Sequence, residues 1–405
     1  MMNTLSKKIT LSTQEEILND CVIRDIPLAD ALMKEGLTYD SLRYCEYSDV
    51  VPHSESNEIL DDIEKAPESI PAVSFFSGAG GMDIGFEYAG FHNLASVEFN
   101  EVFCNTLRYN NPKRTIIGPP NSSGDVRQHE EVSFLLETVI GTKKPFEGVF
   151  HGGPPCQSFS VAANQRFSKG SERFKRQGFE DEEKGELLFD YIWYIKRFMP
   201  RAFLIENVAG IEYCDDDGKV KSALDDLTAL GYDIHPPQIV NAAYFGVPQN
   251  RMRWLIIGAR TGKHIDFPIP NDYATTCYET FCRNIDGVEN HLTREHSAES
   301  VSRYMQLTYG TRDKLGRVDR LNPNLPSKTV IAGGTKGGGR SHLHPYSPRT
   351  ISVRECARLQ TFPDSYIFSG STARQFTQVG NAVPPLLAYK IAKQIRKGLC
   401  SQIKT

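Results

Sequence analysis

The sequence predicts an α/β fold, a mostly parallel sheet covered by helices on both faces. Short apolar runs bounded by turn residues alternate with helix-like stretches through the middle of the chain, the signature of strand–helix–strand units. The same pattern limits the fold: the alternation begins near residue 71 and fails after Arg260.

The elements follow in chain order. Residues 1–70 hold six Lys and Arg against fifteen Asp and Glu. Within them Leu28, Ala31, Leu32, Leu37 and Leu42 suggest two short amphipathic helices around Gly36. Residues 54–69 turn acidic and polar, as linkers do, and lead to Pro71. Strands are then expected at 72–76, 96–98, 148–151, 202–205 and 253–258, with helices to Ala89, over 187–198 and over 219–230. From Pro268 to about Tyr346 the chain is irregular. Helical character returns near Ile351, and 382–397 reads as a last helix opening at Pro384-Pro385. Four segments result: an acidic, helical N-terminal appendage (1–70), a first α/β part (71–265), a small irregular domain (266–348) and a return to the α/β domain (349–405).

Composition excludes several classes. A chain of 405 residues suffices for two or three domains with sizeable cores. No apolar run is long enough to span a bilayer, and the N-terminus lacks the apolar stretch of a secretory signal. The nine cysteines stand singly, with no C-x-x-C pair. That fits reduced intracellular thiols rather than a disulfide framework or a metal site, and the expected location is the cytoplasm. Residues 71–405 carry 40 basic and 35 acidic side chains, and within 303–349 nine basic residues face only Asp313 and Asp319. Such a stretch is either a solvated surface or a footing for a polyanion.

Chemistry concentrates at the tips of the predicted strands. Gly152-Gly153-Pro154-Pro155-Cys156 ends one strand in a stiff turn with a single thiol after it. Free cysteines are usually small buried core residues, so alone this one reads either way. Phe76-Ser77-Gly78-Ala79-Gly80-Gly81 follows a strand and opens a helix, where backbone N–H groups meet a ligand closely. The dinucleotide pattern G-x-G-x-x-G fails, because Asp83 stands at its last position. Glu98, twenty positions after Gly78, can accept both hydroxyls of a ribose, and Asp125 in Gly124-Asp125-Val126 suits an adenine amine. A nucleoside without pyrophosphate satisfies all three. Glu206 in Glu206-Asn207-Val208 shares the sheet edge with Cys156, although an isolated glutamate there is more often a helix cap. Arg251 and Arg253, two apart on an extended segment, project to one side, as a surface arginine pair also would.

Together these stretches resemble the cytosine-C5 DNA methyltransferases of prokaryotic restriction–modification systems. The resemblance lies in F-x-G-x-G-G at 76–81, the acid at 98, G-D-V at 124–126, G-P-P-C-Q at 153–157 and E-N-V at 206–208. It continues in Q-x-R-x-R at 249–253, R-E-C-A-R-L-Q-T-F-P at 354–363 and G-N-A-V-P-P at 380–385. It covers roughly 71–260 and 350–397, and its joint specificity is high. It implies a Rossmann-like S-adenosylmethionine-dependent sheet, with target recognition in the variable segment 266–348.

The resemblance implies Cys156 as the nucleophile adding to C6 of cytosine. Glu206 is implied at N3 and the exocyclic amine, and Arg253 at O2 with Arg251 beside it. A free thiol of pKa about 8.5 is mostly protonated at neutral pH, so the site must assist it. The implied S-adenosylmethionine pocket comprises Phe76 stacked on adenine, Gly78, Ala79, Gly81, Glu98, Phe99, Asp125, Val126, Pro155 and Asn381, with no metal. Candidate DNA contacts are Gln157, Ser160 and Arg166, in or near a closing loop at 161–185, Lys336 and Arg340 in the recognition segment, and Arg349 just after it. The expected partner is double-stranded DNA, met by a monomer, with a cognate restriction endonuclease acting on the same site without direct contact. Two alternatives stand: an RNA cytosine methyltransferase on the same scaffold, and a catalytically silent nucleic-acid-binding relative. Intact Cys156, Glu206 and Arg253 oppose the second.

Overall fold

The fold is described from a computed structural model for residues 8–46, 58–155, 187–213, 218–260, 262, 264–332 and 342–400. The chain divides into two compact units. One comprises Asp62–Phe245, Arg251–Asn271 and Ala382–Thr405; the other comprises Met1–Asp61, Gly246–Asn250 and Asp272–Asn381.

The first unit is built on an eight-stranded sheet: β1 (Ile70–Phe75), β2 (Phe91–Val97), β3 (Ile116–Ile117), β4 (Val149–Gly152), β5 (Ala202–Val208), β6 (Tyr232–Ile234), β7 (Gln238–Asn241) and β8 (Met252–Arg260). The order is β3-β2-β1-β4-β5-β8-β6, with β7 also on β8. The first five strands are mutually parallel, but β8 runs antiparallel to β5, β6 and β7. The sheet is therefore mixed. β7 reaches β8 through the short connection over 242–251, and a short connection returns the chain antiparallel, whereas a parallel neighbour needs a long crossover. Helices make those crossovers elsewhere, among them Gly81–Tyr88, Glu101–Asn110, His129–Ile140 and Leu187–Phe198.

Burial on both faces explains why β1 and β8 read as near-continuous apolar runs. Phe75 packs its ring 5.1 Å from each of Phe150, Tyr191 and Tyr194. Each such pair contributes about 0.5–1.5 kcal/mol beyond its buried area. The last helix, Pro385–Cys400, lies against Gly81–Tyr88 so closely that a Cβ on Gly85 would fall 2.5 Å from Pro385 O, Tyr389 N and Ala388 Cβ. Gly85→Leu should force two backbones apart and lower the urea midpoint by about 3 kcal/mol of stability. An unchanged midpoint would show that the helix pair yields without cost.

The second unit joins the N-terminal segment to the irregular region. Its helix Leu11–Arg24 was not among the expected elements, because Gln14 interrupts the apolar stripe formed by Leu18 and Cys21. Gln14 is nonetheless fully buried: its Nε2 donates to Arg43 O (2.9 Å), and its Oε1 accepts from Arg43 N (2.8 Å). The expected helix near Leu37–Leu42 is a 3-10 turn, Tyr39–Ser41. Leu18, Leu28, Leu32 and Leu42 share one core with Val301 and Met305. Residues 8–46 thus share a unit with 272–381. The segment 349–381 lies in this unit too, so the return to the sheet begins at Ala382.

Arg349, expected at the DNA surface, is 1 % exposed and fully engaged. Its Nη1 and Nη2 donate to Glu355 (2.8 and 2.7 Å), and its Nε donates to Asp40 (2.7 Å). A charge held this way is too costly to unpair for a phosphate. The polar residues of R-E-C-A-R-L-Q are structural as well. Arg354 donates to Glu289 O, Pro363 O and Tyr366 O; Arg358 pairs with Asp364; and Glu355 closes a capping box with Ser352 on the helix Val353–Leu359.

Burial lowers three histidines below their ordinary value: His151 to about 4 in the sheet unit, and His296 to about 4 and His344 to about 3 in the other. Unfolding lets each take a proton near pH 6.5, so their contribution is complete above that pH and is lost as pH falls through 4. The melting temperature should drop by about 5 °C or more between pH 6.5 and 4. Scanning calorimetry across that window checks it, and a flat profile would contradict neutral burial.

Candidate active site

The glycine turn sits at the carboxyl end of β1. Phe76 has φ 53° and Gly78 φ 56°, so two left-handed residues bend the chain sharply into the helix Gly81–Tyr88. For a phenylalanine that conformation is strained by about 1–2 kcal/mol, and something must hold it. Ser77 supplies part of the hold: its N–H donates to Val97 O (3.2 Å), tying the turn to the end of β2.

Glu98 follows β2 directly and is 8 % exposed. Its Oε2 accepts from Gly78 N (2.7 Å) and its Oε1 from Asn100 N (2.7 Å). Desolvation pushes the carboxyl up to about 7, against the pull of those two N–H groups. Each carboxylate oxygen retains a lone pair, so a diol has acceptors here. Phe99 beside it is 63 % exposed. Phe76 is half-buried, edge-on to Tyr191 at 6.3 Å. Ala79 and Gly81 are buried within the turn, and Val126 is buried with its carbonyl accepting from Tyr194 Oη (2.9 Å).

Asp125 is already engaged. Arg127 donates from Nε to Oδ1 (2.9 Å) and from Nη2 to Oδ2 (2.7 Å), and this hydrogen bonding lowers the carboxyl below its usual range. The Arg127 side chain is half exposed, so the pair is a weak one that a ligand amine can share. Asn381 ends the helix Thr372–Asn381 and is exposed; it belongs to the second unit, one residue before the chain re-enters the first.

A second cluster lies where β4 and β5 end. Glu206 Oε1 and Arg253 Nε are 2.5 Å apart, with both side chains about nine-tenths buried. Antiparallel pairing of β5 and β8 sets this up by placing Val208 opposite Arg253. A Cβ on Gly153 would lie 2.8 Å from Glu206 Oε2, so only glycine lets the chain leaving β4 pass so near the carboxylate. Asn207 Nδ2 donates to Pro154 O (3.4 Å), a second tie to the same turn. Pro155 is exposed and is the last described residue there. Cys156, Gln157, Ser160 and Arg166 lie outside the described residues, as do Lys336 and Arg340. Arg251, two residues before Arg253, is 2 % exposed, and its Nη2 donates to Ala382 O (2.8 Å).

Sequence reasoning overlooked Asp83 as more than a break in the glycine pattern. It is fully buried and accepts from Ser74, Ser96, Asn93 and Arg114. The available signal was an acid in the first turn of the largely apolar helix Gly81–Tyr88, among Met82, Ile84 and Phe86. Among the described residues no group of His, Cys, Asp and Glu could hold a metal ion. Among the same described residues no helix is long and apolar enough to cross a membrane.

A sheet in this order, with a glycine turn, a strand-end acid and a buried carboxylate–guanidinium pair at its carboxyl edge, defines an α/β methyltransferase fold. A prophage-encoded chain of Escherichia coli, named as a DNA modification methyltransferase, shares the fold with a TM-score of 0.65. It is 25 % identical, over 82 % of this chain and 100 % of its own. The chain belongs to the C-5 cytosine-specific DNA methylase family, whose pattern matches residues 70–397. It is 32 % identical to the Type II methyltransferase M1.HphI of Haemophilus parahaemolyticus over 353 residues, 81 % of this chain and 87 % of that one. It is also 32 % identical to M.NgoPII of Neisseria gonorrhoeae, over 81 % of this chain and 95 % of that one. M.Eco47II of Escherichia coli is 27 % identical over 98 % of this chain and 97 % of its own. The enzyme is accordingly a DNA cytosine methyltransferase of the restriction–modification kind, and these kinships do not favour RNA as its substrate.

Proposed function

We propose that this enzyme methylates C5 of a cytosine extruded from a specific duplex sequence, taking the methyl group from S-adenosylmethionine, with Cys156 as covalent nucleophile. The observation that carries the reading is the buried Glu206–Arg253 pair against the Gly153 turn that leads to Cys156. C5 of cytosine is a poor nucleophile. The Cys156 thiolate adds to C6, and the C5–C6 electron pair becomes available at C5. Glu206 holds the proton at N3 that makes C6 electrophilic, and Arg253 takes up charge at O2. S-adenosylmethionine supplies an electrophilic methyl group on sulfur. Once C5 carries the methyl group, the C5 proton leaves to a base, and the thiolate is expelled as the aromatic ring reforms.

The cofactor residues fit a nucleoside. Glu98 offers free lone pairs for ribose hydroxyls beside an open turn, Phe99 offers an exposed ring to adenine, and Asp125 shares its carboxylate with an amine. Phe76, Gly78, Ala79, Gly81, Val126 and Pro155 complete the wall, with Asn381 on the methionine side. Flipping the base costs a few kcal/mol, which DNA contacts from Gln157, Ser160, Arg166, Lys336 and Arg340 offset. The enzyme works as a monomer in the cytoplasm, protecting sites that a cognate endonuclease cuts without touching it. Labelled S-adenosylmethionine incubated with duplex DNA or with transfer RNA tests the substrate, and bisulfite sequencing of DNA from expressing cells gives the target. Label in RNA alone, or in adenine, would overturn the reading.

A further inference from the structure

Four donors converge on the Asp83 carboxylate, which is wholly inaccessible to solvent. Oδ1 accepts from Ser74 Oγ (2.6 Å), while Oδ2 accepts from Ser96 Oγ (2.8 Å), Asn93 Nδ2 (3.1 Å) and Arg114 Nη1 (3.1 Å). No capacity is left for a substrate. The donors stand on three different elements: Ser74 on β1, Ser96 on β2 and Arg114 just before β3. Because Ser74 gives its proton to Asp83, its oxygen is free to accept, and Ser77 Oγ donates to it at 2.8 Å. The relay Ser77→Ser74→Asp83 therefore has a fixed direction, and its far end is the residue between the strained Phe76 and Gly78.

We infer that Asp83 is a positioning residue for the cofactor cradle, orienting the Phe76–Gly80 turn through Ser74 and Ser77, and Glu98 through Ser96. Glu98 lies two residues beyond Ser96 on the same chain, and its Oε2 meets Gly78 N at 2.7 Å. One buried carboxylate thus sets both sides of the contact that a ribose must join. The inference rests on the reading that S-adenosylmethionine sits on this turn.

Asp83→Asn keeps the shape but inverts the relay. With its oxygen towards Arg114, Ser96 and Asn93, the amide donates to Ser74. Ser74 must then give its own proton to Ser77, and Ser77 no longer donates into the network. Glu87→Gln is the control: Glu87 pairs with the same Arg114 on the same helix but has no link to Ser74. Calorimetric titration of the full chain with S-adenosylmethionine should show Asp83→Asn binding about tenfold more weakly, the loss expected for one hydrogen bond to a charged group. Turnover at saturating cofactor and KM for DNA should stay within about twofold, and Glu87→Gln should bind cofactor like wild type even if it melts earlier. Ser77→Ala cuts the relay at the end nearer the turn without touching the buried charge. It should bind about threefold more weakly, and it decides the matter if Asp83→Asn does not fold. Wild-type cofactor affinity in every folded variant would overturn the positioning role alone. Failure of the wild-type protein to bind S-adenosylmethionine would instead sink the cofactor reading beneath it.

Discussion

Cys156→Ala is expected to abolish methyl transfer, by at least about ten-thousand-fold, while leaving a folded protein that binds S-adenosylmethionine with wild-type affinity. The two halves of this expectation have separate causes. Without a thiolate at C6 there is no electron pair for C5 to use, and neither described carboxylate of the site is placed to supply one: Glu206 is committed to Arg253, and Glu98 is buried against backbone N–H groups. The glycine turn and Glu98 are held by each other and by the ends of β1 and β2, through Ser77 N–H on Val97 O and Gly78 N–H on Glu98 Oε2, contacts that need no thiol. Filter binding of labelled methyl groups and calorimetry separate turnover from binding. The same chemistry predicts that an oligonucleotide with 5-fluorocytosine at the target traps the wild-type enzyme covalently, since fluorine cannot leave as a cation. Residual turnover in the variant, or no adduct at a confirmed target, would remove Cys156 from the mechanism.

The central strands were legible because β1, β5 and β8 carry near-continuous buried apolar runs, and the tips of β1, β2, β4 and β5 carry residues with no packing reason to be there. Glu206 and Arg253 were identified in this way, and the structure brings them together. The antiparallel end of the sheet was not legible, since β6 and β7 are three and four residues long and carry no run that a periodicity can register. Arg349 misled because charge patterning cannot tell a solvated guanidinium from one buried between two carboxylates, and its partner Asp40 lies 309 positions away. Gln14 and Asp83 were hidden for a related reason: each is polar and fully buried, and only its partners, distant in sequence, make that burial affordable.

Glu206 separates two roles that a single distance joins. Its carboxylate neutralises Arg253 at 2.5 Å and, in the proposed reaction, holds the proton at N3 of cytosine. Glu206→Ala removes both, leaving a guanidinium about nine-tenths buried with no counter-charge, so it should lose stability as well as turnover. Glu206→Gln keeps the volume and a polar partner for Arg253, and its amide can still donate a hydrogen bond to N3. It cannot deliver a proton, and turnover should fall by about a hundred- to ten-thousand-fold, the range for loss of a general acid. Its urea midpoint should stay near wild type. Pairing Glu206→Gln with Arg253→Met supplies the internal check. If the two groups matter to folding chiefly as each other's counter-charge, the double variant should be more stable than Arg253→Met alone, because the second change removes the carboxylate that the first left unpaired. Stability losses that simply add would mean that each group is held by its own surroundings. Wild-type turnover in Glu206→Gln would exclude proton delivery at N3, leaving Arg253 and the thiol to activate the ring unaided.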